Sequence, residues 1–187
     1  MKKIFLFIAF LQITALFGQK NCEYSTNVTD SLGTYKSTKE LLMQQRFFGS
    51  AEKSVFFSLI NSGEFPSLKI QLIQKSTDFV PAICFDENSK VFIQLENGKI
   101  ITLISINQTD CGSSVTIDDK NCRILTGYFL FMKDTIEELK NSPFNLLRIK
   151  YASETVDYII KEELISEIDK TVSNPSTYFM DFLKCVE

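Results

Sequence analysis

The sequence predicts an α+β domain, predominantly antiparallel β, arranged as a sandwich or a curved meander and closed by two or more helices. Three observations carry that reading. Short runs of β-branched and aromatic residues, some alternating with period two, are separated by turns containing Gly, Pro or Asn. Clear helical signals are confined to two stretches in the C-terminal third. A leader precedes all five cysteines, which puts the body of the chain where disulfides can form.

The leader opens with Lys2 and Lys3, runs apolar from Ile4 to Phe17 and ends in Gly18-Gln19-Lys20. As a helix that run spans roughly 21 Å at ~1.5 Å per residue, short of the ~30 Å hydrocarbon core. It therefore reads as a cleavable signal peptide over residues 1–18, cut after Gly18, and not as an anchor. A lipoprotein signal needs a small residue before the modified cysteine, whereas Cys22 follows Asn21. Residues 19–187 then make one secreted or periplasmic β-rich domain with no membrane span.

Element by element, Val55–Ile60 and Leu68–Gln74 form a hairpin across a segment containing Gly63 and Pro66. Val91–Leu95 and Ile100–Ile104 form a second, in which Asn97-Gly98 suits a type I′ turn with Glu96 opposite Lys99. Ala82–Phe85 extends this meander to three strands. Ile124–Phe131 is apolar on both faces and reads as a central strand covered on each side. A helix follows, capped by Asp134 with Glu137 at the capping-box position and stopped by Asn141-Ser142-Pro143. Leu146–Tyr151 and Thr155–Ile160 make another hairpin. The closing helix carries Tyr178, Phe179, Phe182 and Leu183 at helical spacing. Between Ser37 and Phe48 helix and strand are equally compatible with the residues.

Five cysteines allow two bridges and one free thiol. Cys22 and Cys185 lie near the two ends of the mature chain and are expected to pair. Cys111 and Cys122 flank the polar loop Gly112–Asn121 and are expected to staple it, leaving Cys84 as a buried free thiol in the apolar stretch Val80–Phe85. The alternative, Cys84 with Cys111 and Cys122 free, is nearly as compatible.

Histidine is absent, which removes the commonest proton carrier near neutral pH and the commonest zinc ligand. Without the two leader lysines the 20 basic residues fall to 18 against 23 acidic ones, a net charge of −5 that opposes nucleic-acid binding. Asp110, Asp118 and Asp119, with Ser113 and Ser114, are the one calcium candidate, although a solvated acidic loop explains them as well. Catalytic residues and cofactors are expected to be none. A carboxylate-only glycosidase would draw on Asp86, Glu87, Glu96, Glu154 and Asp157, all at strand ends or turns. The pairs Phe47-Phe48, Phe56-Phe57 and Tyr128-Phe129 put large rings on both faces of their strands, more than one sheet face buries.

The Met1-Lys2-Lys3-Ile4 leader ending in Phe17-Gly18-Gln19, the stretch from Phe85-Asp86-Glu87-Asn88-Ser89-Lys90 to Asn97-Gly98-Lys99-Ile100, and the ending Tyr178-Phe179-Met180 to Leu183-Lys184-Cys185 resemble small secreted proteins of Bacteroidota of unassigned function. The resemblance implies export and, being carried by turns and strands, implies no particular activity. Asp30-Ser31-Leu32 and Asp134-Thr135-Ile136 look like the O-glycosylation acceptor pattern of that group, at Ser31 and Thr135. Asn27-Val28-Thr29 and Asn107-Gln108-Thr109 have the form of N-glycosylation triplets. These readings favour a non-catalytic exported interaction module for a protein or glycan partner. A histidine-independent glycan hydrolase and an apolar small-ligand carrier are the alternatives.

Overall fold

The structure, a computed structural model, describes residues 20–187 apart from Leu32, Glu64, Asn107 and Lys133. The expected signal peptide lies outside the described residues. Antiparallel strands dominate, with two short helices, so the class is α+β and mostly β. The N-terminal half supplies strands β1 (Tyr24–Asp30), β2 (Gly33–Thr38), β3 (Leu41–Phe48), β4 (Ala51–Asn61) and β5 (Pro66–Ser76). Next come β6 (Lys90–Leu95), β7 (Ile100–Ser105), β8 (Ser113–Ile117) and β9 (Lys120–Phe131). Helix α1 (Ile136–Asn141), hairpin β10 (Phe144–Lys150) and β11 (Thr155–Ile159), the small pair β12 (Leu164–Ile165) and β13 (Val172–Ser173), and helix α2 (Tyr178–Phe182) complete the chain.

Hydrogen bonding joins eleven strands in the order β1-β2-β4-β5-β9-β7-β6-β10-β11, with β3 also on β4 and β8 also on β9. Alternation decides the buried face: Val55, Phe57 and Leu59 of β4 and Leu68, Ile70 and Leu72 of β5 are all buried. Strands β4 and β10 stand five places apart, roughly 24 Å in a flat sheet at ~4.8 Å per strand. Yet Phe57 of β4 and Phe144 of β10 pack against the same ring, Phe179, at 6.1 and 5.2 Å. The sheet therefore curves, and α2 fills the curve. Asn61 Nδ2 donating to the Val186 carbonyl (2.6 Å) and Tyr24 Oη donating to the Cys185 carbonyl (3.0 Å) hold the C-terminal segment in place.

Several expected elements differ in detail. The 37–48 stretch is largely strand β3, paired with β4 across a two-residue turn at Gly49-Ser50. At Asn97-Gly98 only Gly98 has positive φ (+86°), and Leu95, not Glu96, exchanges a backbone bond with Lys99 (2.8 Å). This is a three-residue loop with a left-handed glycine, the bulged alternative to type I′. Ala82–Phe85 adds no strand beyond a single bridge from Phe85 to Asp110, since Pro81 lacks a donor and Cys84 is tied elsewhere. Strand β9 is central but covered on one face: Leu125, Gly127 and Phe129 are buried while Tyr128 is half-exposed. A Cβ on Gly127 would stand 2.5 Å from the Phe85 ring, so only glycine lets that ring lie across the strand. Asp134 does not cap α1; it has φ +67°, and Glu137 pairs with Lys140 (2.8 Å). The expected loop Gly112–Asn121 is mostly the hairpin of β8 and β9.

Candidate functional site

Cys22 pairs with Cys185, their Cα atoms 5.6 Å apart. Cys84 pairs with Cys111 at 4.0 Å, and Cys122 is the free, buried thiol. The expected Cys111–Cys122 staple and free Cys84 are thus corrected. Strand register is the reason. The partner of Cys122 across the β8–β9 hairpin is Val115, while the backbone bridge between Phe85 and Asp110 sets Cys84 beside Cys111.

The calcium candidates separate. Asp118 and Asp119 form the hairpin tip with φ +49° and +58°, and Asp110 lies at its base, beyond the five residues of β8, where its Oδ1 accepts from the Gly112 amide (2.9 Å). That puts roughly 17 Å of strand at ~3.4 Å per residue between them. Among the described residues no group of three His, Cys, Asp or Glu side chains is placed to hold a metal ion. Ser31 stands exposed at the β1–β2 turn, and Leu32 of its triplet lies outside the described residues, as does Asn107. The Thr135 hydroxyl is engaged, donating to the Met132 carbonyl (2.7 Å).

The five carboxylates raised by the sequence are dispersed. Asp157 is clasped by Arg148 through two bonds of 2.6 and 2.7 Å, which hold its carboxyl below the usual range. Asp86 accepts from the Asn88 amide and the Ser89 hydroxyl within its own turn, exposed Glu87 belongs to that turn, and Glu96 sits in the β6–β7 loop. Glu154 alone of the five lines the groove described next.

That groove, about 390 Å³, opens at one end of the curved sheet between the strand ends of β4 and β5, residues 79–83, and the β10–β11 turn. Lys53, Gln74, Ser76, Phe79, Ser153 and Glu154 contribute to its lining. Lys53 lies two residues before buried Val55 and so shares the inner face. Pairing extends its row: Arg46 is opposite Lys53, Lys53 opposite Gln74, and Gln74 opposite Arg123. Glu52, one residue away, alternates to the other face, where Gln45 Nε2 (3.0 Å) and Ser54 Oγ (3.1 Å) donate to it.

Two phenylalanines flank the groove. Phe48 is 85 % exposed and pairs with Ala51 at the groove wall; Phe79 is 81 % exposed. The backbone on either side of Phe79 is tied down, since Asn121 Nδ2 donates to the Asp78 carbonyl (3.1 Å) and Arg123 donates through Nε to the Val80 carbonyl (3.4 Å) and through Nη1 to the Cys111 carbonyl (3.2 Å). Of the aromatic pairs the sequence singled out, Phe57 and Phe129 are core, and Phe47 and Phe48 are the strongly exposed pair.

A second depression of about 390 Å³ is lined by residues including Lys20, Glu23, Lys39, Glu40 and Tyr178. Size does not choose between this depression and the groove; the strongly exposed Phe79 ring at the groove does. The lysines of the depression are neutralised, Lys20 by Asp181 (3.1 Å) and Lys39 by Glu23 (2.9 Å). Arg46, Lys53 and Arg123 take part in none of the ion pairs among the described residues. The row is not evident in the sequence because Arg123 is distant in the chain and the pairing of Arg46 with Lys53 depends on where the turn falls. Counting outward from Gly49-Ser50 as a turn would have set Arg46 against Lys53. No described helix is long and apolar enough to cross a membrane. Comparisons with protein-family models, with curated proteins and with solved structures gave no match.

Proposed function

We propose that this protein is an exported, non-catalytic interaction module whose contact surface is the groove flanked by Phe48 and Phe79. The observation that carries the reading is Phe79: a large apolar ring left 81 % exposed while both neighbouring carbonyls are held by side chains of β9. An exposed ring carried on a backbone already tied down at both neighbours needs little further main-chain ordering when a partner covers it, which suits a binding anchor. Two disulfides suit an oxidising compartment, and Cys84–Cys111 follows directly on the groove-lining residues 79–83 and stiffens that rim.

The hydrolase reading needs two carboxyls facing one bond, whereas Glu52 and Glu154 belong to the same groove but Glu52 is directed to the other strand face. The carrier reading needs an enclosed apolar chamber, and the groove is open and partly polar. The test incubates the purified protein with a panel of acidic and neutral oligosaccharides and follows both complex formation and cleavage. Binding without product, weakened by Phe79→Ala, is expected. Turnover abolished by Glu154→Gln or Glu52→Gln in a folded variant would establish an enzyme instead.

A further inference from the structure

We infer that the free edge of β8 takes an added strand from another protein, an extended, uncharged and β-branched segment with a basic residue at its end. This surface is separate from the groove and stands or falls apart from it. Asp118 and Asp119, with φ +49° and +58°, make the tip of the β8–β9 hairpin a type I′ turn, so Ile117 and Lys120 are a hydrogen-bonded pair. Bonded pairs recur at every second residue, which adds Val115 with Cys122 and Ser113 with Ile124. Ser114 and Thr116 therefore turn their N–H and C=O groups away from β9, to a side where β8 has no neighbouring strand among the described residues. The other edges are guarded. Strand β1 has a register irregularity at Ser25 and ends in Asp30, and β11 carries Asp157 in its middle, clasped by Arg148. At β3 the Ser173 hydroxyl donates to the Leu42 carbonyl (3.4 Å) and Gln45 Oε1 accepts from the Glu167 amide (3.0 Å). Bulges, charge and cover are what keep a sheet edge from pairing. Strand β8, Ser113-Ser114-Val115-Thr116-Ile117, has none of them: it is uncharged, in unbroken register and exposed at every residue.

What the edge offers decides its occupant. Paired donors and acceptors recurring every second residue, roughly 6.8 Å apart, are matched by the main chain of another extended polypeptide and by neither a sugar ring nor a phosphate backbone. Ser113, Val115 and Ile117 alternate onto one face, where half-exposed Val115 and Ile117 favour β-branched side chains beside them. Asp118 and Asp119 belong to no ion pair among the described residues, so a basic residue at the end of the added strand meets both. A second copy of this chain lacks that complement. Antiparallel pairing through β8 would set each Asp118-Asp119 tip at the Asp110 end of the other copy, and parallel pairing would set the two tips side by side. Either brings like charges together between chains of net charge −3.

The experiment titrates the protein with the peptide Lys-Thr-Val-Thr-Val-Thr-Lys and follows amide chemical shifts. Binding with Kd below about 1 mM is expected, with shifts centred on Ser114 and Thr116 while Lys53 and Phe79 stay unmoved, so the groove reading is left untouched by either result. Two further peptides, N-methylated at the valines alone or at the threonines alone, separate main-chain pairing from side-chain recognition. One of them should bind about tenfold or more weakly and the other like the parent, because an added strand bonds β8 along one side only. Thr116→Pro removes an outward N–H that β9 does not use, at a position where an edge strand tolerates proline, and should weaken binding by about the same factor. The methylated peptides decide the matter even if that variant unfolds. No binding, equal effects of the two methylations, or shifts centred on the groove overturns the added strand. Equal affinity for the peptide with glutamate at both ends overturns the basic end. Concentration-dependent dimerisation of the protein that the peptide reverses assigns the edge to a second copy and overturns the foreign partner.

Discussion

Arg46 faces Lys53 across β3 and β4, two cations in register on the inner face at the open end of the sheet, and neither belongs to an ion pair among the described residues. Folding the hairpin brings them together, so the folded protein carries a local electrostatic cost. Lys53→Gln is expected to stabilise the free protein by ~0.2 to 1 kcal/mol, a melting rise of at most about 4 °C for a chain of this size. Differential scanning calorimetry in low salt checks it. A lower melting temperature would show that Lys53 has a favourable partner in solution.

The two disulfides close loops of very different length, with sequence separations of 163 and 27 residues. In the loop-entropy model these are worth about 5 and about 3.5 kcal/mol. Cys22→Ser should therefore destabilise more than Cys111→Ser, as read by denaturant midpoints. Non-reducing peptide mapping should recover Cys22–Cys185 and Cys84–Cys111, with Cys122 alkylated only after denaturation. A peptide linking Cys111 to Cys122 would contradict the register argument.

Gly98 adopts φ +86° with open space around it, so its substitution isolates backbone strain from crowding. Gly98→Val should cost ~1 kcal/mol or more, because β-branched residues resist that region. Asn97→Ala, at a position without positive φ, loses only the bond that Asn97 Oδ1 accepts from the Lys99 amide and should cost less. Equal losses in the two variants, compared by urea titration, would contradict the bulged-turn assignment.

Tyr151 and Tyr158 share a hydrogen bond of 2.8 Å between their hydroxyls, and burial pushes both above the ordinary tyrosine range. The folded protein thus keeps protons that the unfolded chain releases from about pH 10 upward. Their contribution is complete below about pH 10 and declines as pH rises towards the folded-state values. The variant Tyr151→Phe with Tyr158→Phe should flatten the alkaline limb of the stability curve without abolishing it, since buried Tyr178 is raised too. Urea midpoints taken between about pH 9 and about pH 11 test this, and an unchanged slope would exclude the pair as its origin.

Strongly patterned segments were legible in the sequence. Leu68–Gln74 alternates so regularly that its partner face follows, and Asn97-Gly98 marks its turn although not the turn type. The β1–β2 hairpin was not legible, because its Ser, Thr and Asn-rich strand is almost wholly exposed and carries no hydrophobic period. The same holds for β8, exposed at every residue. Cysteine pairing depended on a single backbone bridge, Phe85 to Asp110, that no spacing announces. The cation row escaped for a related reason: Arg46, Lys53 and Arg123 meet only through the register of four strands, and register is a property of pairing, not of composition.

The most direct test of the groove as the contact surface is an amide chemical-shift map of the protein titrated with whichever member of the acidic and neutral oligosaccharide panel binds. Shifts centred on Lys53, Gln74, Phe79, Ser153 and Glu154, with the Lys20, Lys39 and Tyr178 depression unmoved, are the predicted result. Shifts centred on that second depression, or scattered without a centre, would contradict it.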